Sequence, residues 1–387
     1  KVAVLLRSCA ECYFNTGQYE KAYPLIENSI ELLSDLPNYE LELAQSLLYN
    51  ANFKSTYSQY KEASDLYSKI AQICQKYKYR EMAISYYCDA LYGFKFNNNI
   101  SEATKVIKIL EQQFPEALNS LDYLMSKSAI LQDKAPDQAL NYLNKALLIC
   151  KNSGDVLTEA ICYYEIGNIY YMAYKNCTMA REYLIMAKNI YQTFNERTVI
   201  DNLIATYKAL SNISSELSDF NNARKYMMEC VALCERNEME STITYFSTLI
   251  FAANYFKEFG NIPEMGLYMF KAGMVANNII TVIQDKTTTI GMLYQVLPLM
   301  LYVNQYYINN QSMARINNYD IDLQIRLINT YISEIEQYFE NHNIRDTNYQ
   351  GLKFNKVLYY QQIQDYESAQ NELNELISIL PSNEYFL

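Results

Sequence analysis

The chain has 387 residues, half of them hydrophobic, with only 9 Gly and 7 Pro. So little turn-forming residue excludes an all-β fold and predicts helices joined by short connections. A net charge of −11 and a pI near 4.9 argue against direct binding of nucleic acid, which needs clustered Lys and Arg against phosphate.

The nine cysteines are odd in number and scattered through helical stretches, the pattern of reduced thiols in a cytoplasmic protein. The longest apolar run, Ile290 to Val303, is interrupted by Gln295 and Pro298 and is too short to span a bilayer. It reads as a buried helix and, secondarily, as a surface for a homodimer. The 39 tyrosines against no tryptophan fit the base composition of an AT-rich genome.

In chain order, a helix end, a tight turn around Thr16-Gly17-Gln18 and a second helix come first. That arrangement then returns about every forty residues. A small or slim residue opens each second helix: Ala22, Ala63, Ala103, Ala139, Ala180, Ala223, Met265 and finally Ala369. The first seven are separated by 41, 40, 36, 41, 43 and 42 residues. Four residues on stand Ile26, Tyr67, Ile107, Leu143, Leu184, Met227, Met269 and Leu373. Three further stand Ser29, Ile70, Leu110, Ala146, Ala187, Cys230, Ala272 and Leu376. Spacing of i, i+4, i+7 puts all three on one helical stripe, with the small residue admitting the partner helix closely.

The prolines agree. Pro136 and Pro263 fall where second helices start, and Pro115 and Pro381 where they end. Pro24 falls within the first turn or so of its helix, and Pro298 predicts a kink or break. From 277 to 348 the pattern fails: Asn277-Asn278, Asn309-Asn310 and Asn317-Asn318 read as helix-ending turns, and Ile321 to Phe339 as an amphipathic helix. This irregular region is read as a degenerate repeat, or else as an insert that caps the array, before a final repeat over 349–387.

The chemistry for catalysis is thin. There is one histidine, His342, and no phosphate-binding glycine loop or zinc-protease motif, so no enzyme, metal or cofactor is expected. Cys9/Cys12 and Cys230/Cys234 have the spacing of metal or redox pairs, but no second ligand pair accompanies them, and buried structural thiols are expected. Lys76 to Arg80 reads as a solvated helix boundary.

The pattern resembles the tetratricopeptide repeat. Ala10, Tyr13, Gly17, Tyr19, Ala22 and Ile26 fit its signature. So do Gly167, Tyr170, Ala180 and Leu184 with one extra turn residue, then Ala253, Phe256, Gly260 and Met269, and finally Val357, Tyr360, Tyr366, Ala369, Leu373 and Pro381. The signature Trp is missing and the period is near 40 rather than 34. The resemblance implies an all-α right-handed superhelix of stacked antiparallel helix pairs, about eight or nine repeats, seven of them in 1–276.

It also implies that first helices line a concave face. Eleven residues before each second-helix Ala stand Glu11, Asn52, Tyr92, Ser128, Asn168, Asn212, Asn254 and Leu358, the fifth allowing for its insertion. An Asn amide offers a donor and an acceptor to the backbone of an extended peptide, and in the family such residues clamp bound peptides. Asn52, Asn168, Asn212 and Asn254 are therefore candidate peptide-binding residues, with Tyr164, Tyr171, Lys208 and Lys257 beside them. An Asn-rich chain would supply the same residues by composition alone, and both readings stand. With its repeat length and acidic body, the chain looks like the sensor region of the Rap, PlcR and NprR group of peptide-pheromone receptors. That implies a cytoplasmic regulator whose groove takes a peptide or extended protein segment. Lys1 falls just before a first helix with no capping sequence, so residues upstream, a DNA-binding domain among the candidates, are expected. The alternative is a constitutive scaffold for protein assembly.

Overall fold

The computed structural model describes residues 1–15, 19–56, 59–239, 242–282 and 286–380. The turn at Thr16-Gly17-Gln18 and the helix stop at Pro381 lie outside these residues. The first helices are α1 (Val2–Asn15), α2 (Tyr19–Ser34), α3 (Glu40–Thr56), α4 (Tyr60–Lys76), α5 (Arg80–Phe96) and α6 (Ile100–Gln113). A 3-10 turn over Pro115–Asn119 leads into α7 (Leu121–Leu131), α8 (Pro136–Ser153), α9 (Val156–Met172) and α10 (Cys177–Tyr191). Then come α11 (Arg197–Glu216), α12 (Phe220–Arg236), α13 (Ile243–Glu258), α14 (Ile262–Val282) and α15 (Lys286–Asn309). The chain closes with α16 (Gln311–Ile316), α17 (Ile321–Asn341), α18 (Thr347–Gln362) and α19 (Tyr366–Ile379). No strand occurs among the described residues, so the fold is all-α. It divides into two compact units, Lys1–Cys230 and Val231–Leu387, with α12 running across the division.

The stripe on the second helices is the core. All eight opening residues are buried, as are all eight at the third position, from Ser29 to Leu376. Among the middle residues Leu373 departs, 37% exposed, because α19 packs on α18 and no later helix among the described residues covers its other side. Close approach has a direct signature at Gly167 on α9. A Cβ there would lie 2.9 Å from Leu184 Cγ and 3.2 Å from the Ala180 carbonyl oxygen on α10. Buried hydroxyls add local ties. Ser128 donates to the Ala139 carbonyl (3.0 Å) and Ser211 to that of Ala223 (2.8 Å).

One turn recurs at nine helix ends among the described residues. Its middle residue is left-handed at Lys78, Asn98, Gly154, Ser218, Glu238, Gly260, Asn318, Asn343 and Gln364. The N–H of the next residue reaches back to the carbonyl five positions earlier: Tyr79 to Cys74, Asn99 to Phe94, Asp155 to Cys150, Asp219 to Ser214, Met239 to Cys234, and likewise at Asn261, Tyr319, Ile344 and Asp365. This is the Schellman arrangement, which satisfies carbonyls that a helix end leaves open. At Asn99 and Asp365 the same residue then caps the following helix, its side chain accepting from the N–H of Glu102 and of Ser368. Each turn thus ends one helix and starts the next.

Several expectations need correction. Asn277-Asn278 does not end a helix: α14 runs on to Val282. Asn in a helix interior costs well under ~1 kcal/mol, and Val275, Ala276 and Ile279 are buried around it. Pro24 is the sixth residue of α2, past the first turn, and the helix continues through it. Pro298 does not break α15 into two helices; one α-helix runs from Lys286 to Asn309. Cys9 and Cys12 are exposed, whereas Cys230 and Cys234 are buried as expected. The reason is position: α1 packs on α2 and α3, leaving an outward face open to solvent. The apolar run of α15 is core, with Leu293, Val296, Leu297, Leu301 and Val303 all buried.

Candidate functional site

In the first unit the candidate residues all lie on first helices. On α9, Tyr164, Asn168 and Tyr171 follow at i, i+4, i+7 and share one face, each half-buried. Asn168 lies one turn on from Tyr164 and three residues on from Glu165, within side-chain reach of both along α9. The Tyr171 hydroxyl donates to Glu216 Oε1 at 2.6 Å, tying α9 to the end of α11. That bond draws the Glu216 carboxyl below its ordinary value. On α11, Lys208 is half-buried and Asn212, one turn on, is exposed. Asn52 on α3 is exposed, and its Oδ1 accepts from the Tyr67 hydroxyl of α4 at 2.8 Å. The structure therefore brings Tyr164, Asn168 and Tyr171 together and joins them to α11, while Asn52 is engaged with its own helix pair. Ser128, which occupies the same repeat position, is buried and turned to α8, so it is no part of a polar ladder.

In the second unit Asn254 and Lys257 are exposed on α13. Lys257 Nζ lies 5.0 Å from the centre of the Tyr302 ring of α15, a cation–π contact.

Three carboxyls outside the ladder change the character of the first unit's face. Asp89 on α5 and Asp122 on α7 are exposed, Glu165 on α9 is half-buried, and the Glu165 and Asp122 charges both act on Tyr92 of α5. Surrounding protein and the Asp122 charge push the Asp89 carboxyl up to about 6. Burial also raises Glu165, against the opposing pull of Lys95. Tyr92 is raised by burial and by the Glu165 and Asp122 charges, and stays a protonated phenol at neutral pH. A signal existed in the sequence: Asp89 and Glu165 each stand three residues before the candidate clamp position of their repeats, occupied by Tyr92 and Asn168.

His342 is exposed and stacks on Tyr338 with ring centres 4.1 Å apart. Among the described residues no group of three His, Cys, Asp or Glu side chains could hold a metal ion, and no helix is long and apolar enough to cross a membrane.

The sequence matches no family model, and no curated protein matches it. Solved structures do. The apo form of the quorum sensor NprR from B. thuringiensis is similar over 98% of this chain and 100% of its own, at 11% identity and a TM-score of 0.50. A Rap protein complexed with competence and sporulation factor is similar over 97% of each chain, at 12% identity and a TM-score of 0.44. Aspartyl phosphate phosphatase F from Bacillus subtilis is similar over 100% of this chain and 96% of its own, at 12% identity and a TM-score of 0.40. Through its likeness to NprR, the chain is shown to carry the tetratricopeptide-type helical fold of that quorum sensor.

Proposed function

We propose that the chain is the peptide-sensing part of a non-catalytic regulator, and that the α9–α11 face of its first unit is where the peptide binds. The observation that carries this reading is the contiguous polar and aromatic surface made by Tyr164, Asn168 and Tyr171, with Lys208 and Asn212 on the neighbouring helix, beside the half-buried Glu165. Asn amides pair with both the C=O and N–H of an extended backbone, and phenols give apolar contact with a hydroxyl handle. The carboxylates of Asp89, Asp122 and Glu165 favour a peptide that carries a basic side chain or a free amino terminus. Asn254 and Lys257 would extend contact in the second unit. The fold shared with a quorum sensor agrees with this reading.

The test uses a hexapeptide library with one fixed Lys, read by fluorescence polarisation against the whole chain. Asn168→Ala with Asn212→Ala is expected to weaken the selected peptide at least tenfold, on the order of 1.4 kcal/mol or more, with helicity and melting unchanged. Binding that survives both substitutions, or a library that yields no binder, removes the reading and leaves the scaffold alternative.

A further inference from the structure

The second unit holds a trough that the reading above does not use. A cavity of about 550 Å³ lies between the start of α14 and the turn leading into α17. Beyond Gln324, a crevice of about 60 Å³ continues along α14 past Gly273 and Met274 to Tyr331. Both are bordered by Met269, Phe270 and Gln324. On the other side, Tyr319 and Asp320 border a further cavity of about 620 Å³ beside Arg315.

Three features give the trough a chemistry. First, Leu267, Phe270 and Met274 follow at i, i+3, i+7 on α14 and are 49%, 50% and 54% exposed. They form an apolar wall that no described helix covers, with Leu323 opposite. Second, two polar atoms inside it have no hydrogen-bond partner among the described residues. Gln324 is 6% exposed and its Oε1 is unpaired; the buried Tyr319 hydroxyl is unpaired as well. Burial raises the Tyr319 phenol, so its proton stays on and it offers a donor, while Gln324 offers an acceptor. A buried polar atom without a partner destabilises the fold, and a ligand that supplies the partner relieves this. Third, the charged residues bordering the 550 Å³ cavity are Glu264 and Asp320, both acidic.

We infer that this trough binds an extended peptide segment with bulky apolar side chains and basic rather than acidic neighbours, at a site separate from the α9–α11 face. An amphipathic helix would fit the apolar wall but not the unpaired atoms, because its backbone groups are already bonded within itself. An extended segment offers free N–H and C=O groups to Gln324 Oε1 and to the Tyr319 hydroxyl. The acidic rim selects against carboxylates.

The probe is fluorescein-labelled acetyl-Lys-Leu-Phe-Leu-Lys-amide, titrated against the whole chain by polarisation. Saturable binding is expected. Gln324→Leu and, independently, Tyr319→Phe should each weaken it at least fivefold without lowering the melting temperature, since each removes an unsatisfied polar group rather than a bond. Tyr319→Phe keeps the stacking on Tyr307, whose ring centre lies 4.2 Å away, so this variant still tests the site where Gln324→Leu does not fold. The Glu-flanked counterpart of the probe should bind at least tenfold more weakly at low salt. Any part of the probe's binding that Asn168→Ala with Asn212→Ala removes belongs to the α9–α11 face; the part that Gln324→Leu or Tyr319→Phe weakens should persist in that double variant. No saturable binding overturns the inference, as does equal affinity in both trough variants. Loss only in the α9–α11 variant also overturns it, by placing the probe at the other face.

Discussion

In the first unit the helices of a pair meet through residues with almost no side chain. Ala22, Ala63, Ala103, Ala139, Ala180 and Ala223 are all buried, and Gly167 brings α9 against Ala180 and Leu184 of α10. In the second unit, α17, α18 and α19 meet through charge. Lys353 and Lys356 on α18 are buried between Glu336 of α17 and Glu372 and Glu375 of α19. Lys353 Nζ stands 3.0 Å from both Glu372 Oε2 and Glu375 Oε2, Lys356 Nζ stands 2.6 Å from Glu336 Oε1, and Lys356 also pairs with Glu372. Burial opposes the charge on Lys353, but hydrogen bonds to Glu372 and Glu375 overcome it and hold the ammonium above its ordinary value. A second buried polar tie joins α15 to α18: Asn304 Nδ2 donates to Gln362 Oε1 at 2.9 Å, and Gln362 Nε2 to the Leu301 carbonyl at 2.7 Å. The contrast teaches what regularity supplies. A repeated stripe of small residues fits helix to helix without polar help. Buried ions tie the last striped pair, α18 and α19, to α17, which carries no stripe of its own, and each charge is tolerable only in one arrangement.

The largest expected effect tests that contrast directly. Lys356→Ala leaves Glu336 and Glu372 with Lys353 alone, at 3.7 and 3.0 Å, and should cost about 3 kcal/mol, the lower end for breaking a buried pair, read as a lower urea midpoint. The first unit's ion pair between Lys76 and Glu40 is exposed, so Lys76→Ala should leave the midpoint unchanged. A comparable loss from both substitutions would erase the distinction.

Next in size is overpacking. Ala180→Leu forces a larger side chain against Gly167 and should destabilise by about 1–3 kcal/mol. Ala369→Leu on α19, which packs on one side only, should cost less. Equal losses would mean that α19 is as tightly enclosed as α10.

The smallest effect is a difference in pH response, followed by hydrogen exchange in each unit. The folded Asp89 carboxyl, near 6, lies above its ordinary value near 3.8. Asp89 therefore contributes stability that grows as pH falls through that interval, against Glu111 and Glu216 of the same unit, which are held below their ordinary values and lose their contribution there. In the second unit the shifted carboxyls among the described residues, Asp365 and Glu375, both lie below their ordinary values. Bonding to Lys353 and Tyr349 holds Glu375 below its ordinary value near 4.5, so that contribution is complete above about 4.5 and fades as pH falls further. The raised Lys353 contributes fully below about 10.5 and less as pH rises beyond it. An Asp89→Asn variant whose first unit keeps the same response between about pH 6 and 4 would contradict this assignment.

The first unit's architecture was legible because a period survives every local irregularity. The extra turn residue before Ala180 and the short α7 shift the spacing without moving the small residue off its face. The second unit was less so. Lys353 and Lys356 carry no local signal of burial, and nothing in the sequence announces that Glu336, on another helix, will neutralise one of them. Asn277-Asn278 misled because the apolar residues around it outweigh a weak helix former. The candidate face was partly legible: Tyr164, Asn168 and Tyr171 were visible as a helical face. Asp89 and Glu165 were legible only as a register, three residues before the candidate clamp position; their shifted carboxyls were not, because a carboxylate on a helix looks the same whatever packs around it.

The buried lysines also set an order of assembly. A helix pair of the first unit closes on neighbours a few dozen residues away and can do so as soon as it leaves the ribosome. Lys353 and Lys356 have no such freedom. Glu336 is already synthesised when they emerge, but Glu372 and Glu375 follow only on the last described helix. Until α19 docks, α18 cannot bury its lysines at an acceptable cost. The α17–α19 stretch should therefore close later than the helix pairs of the first unit, and stay open to chaperones and proteases until α19 has emerged.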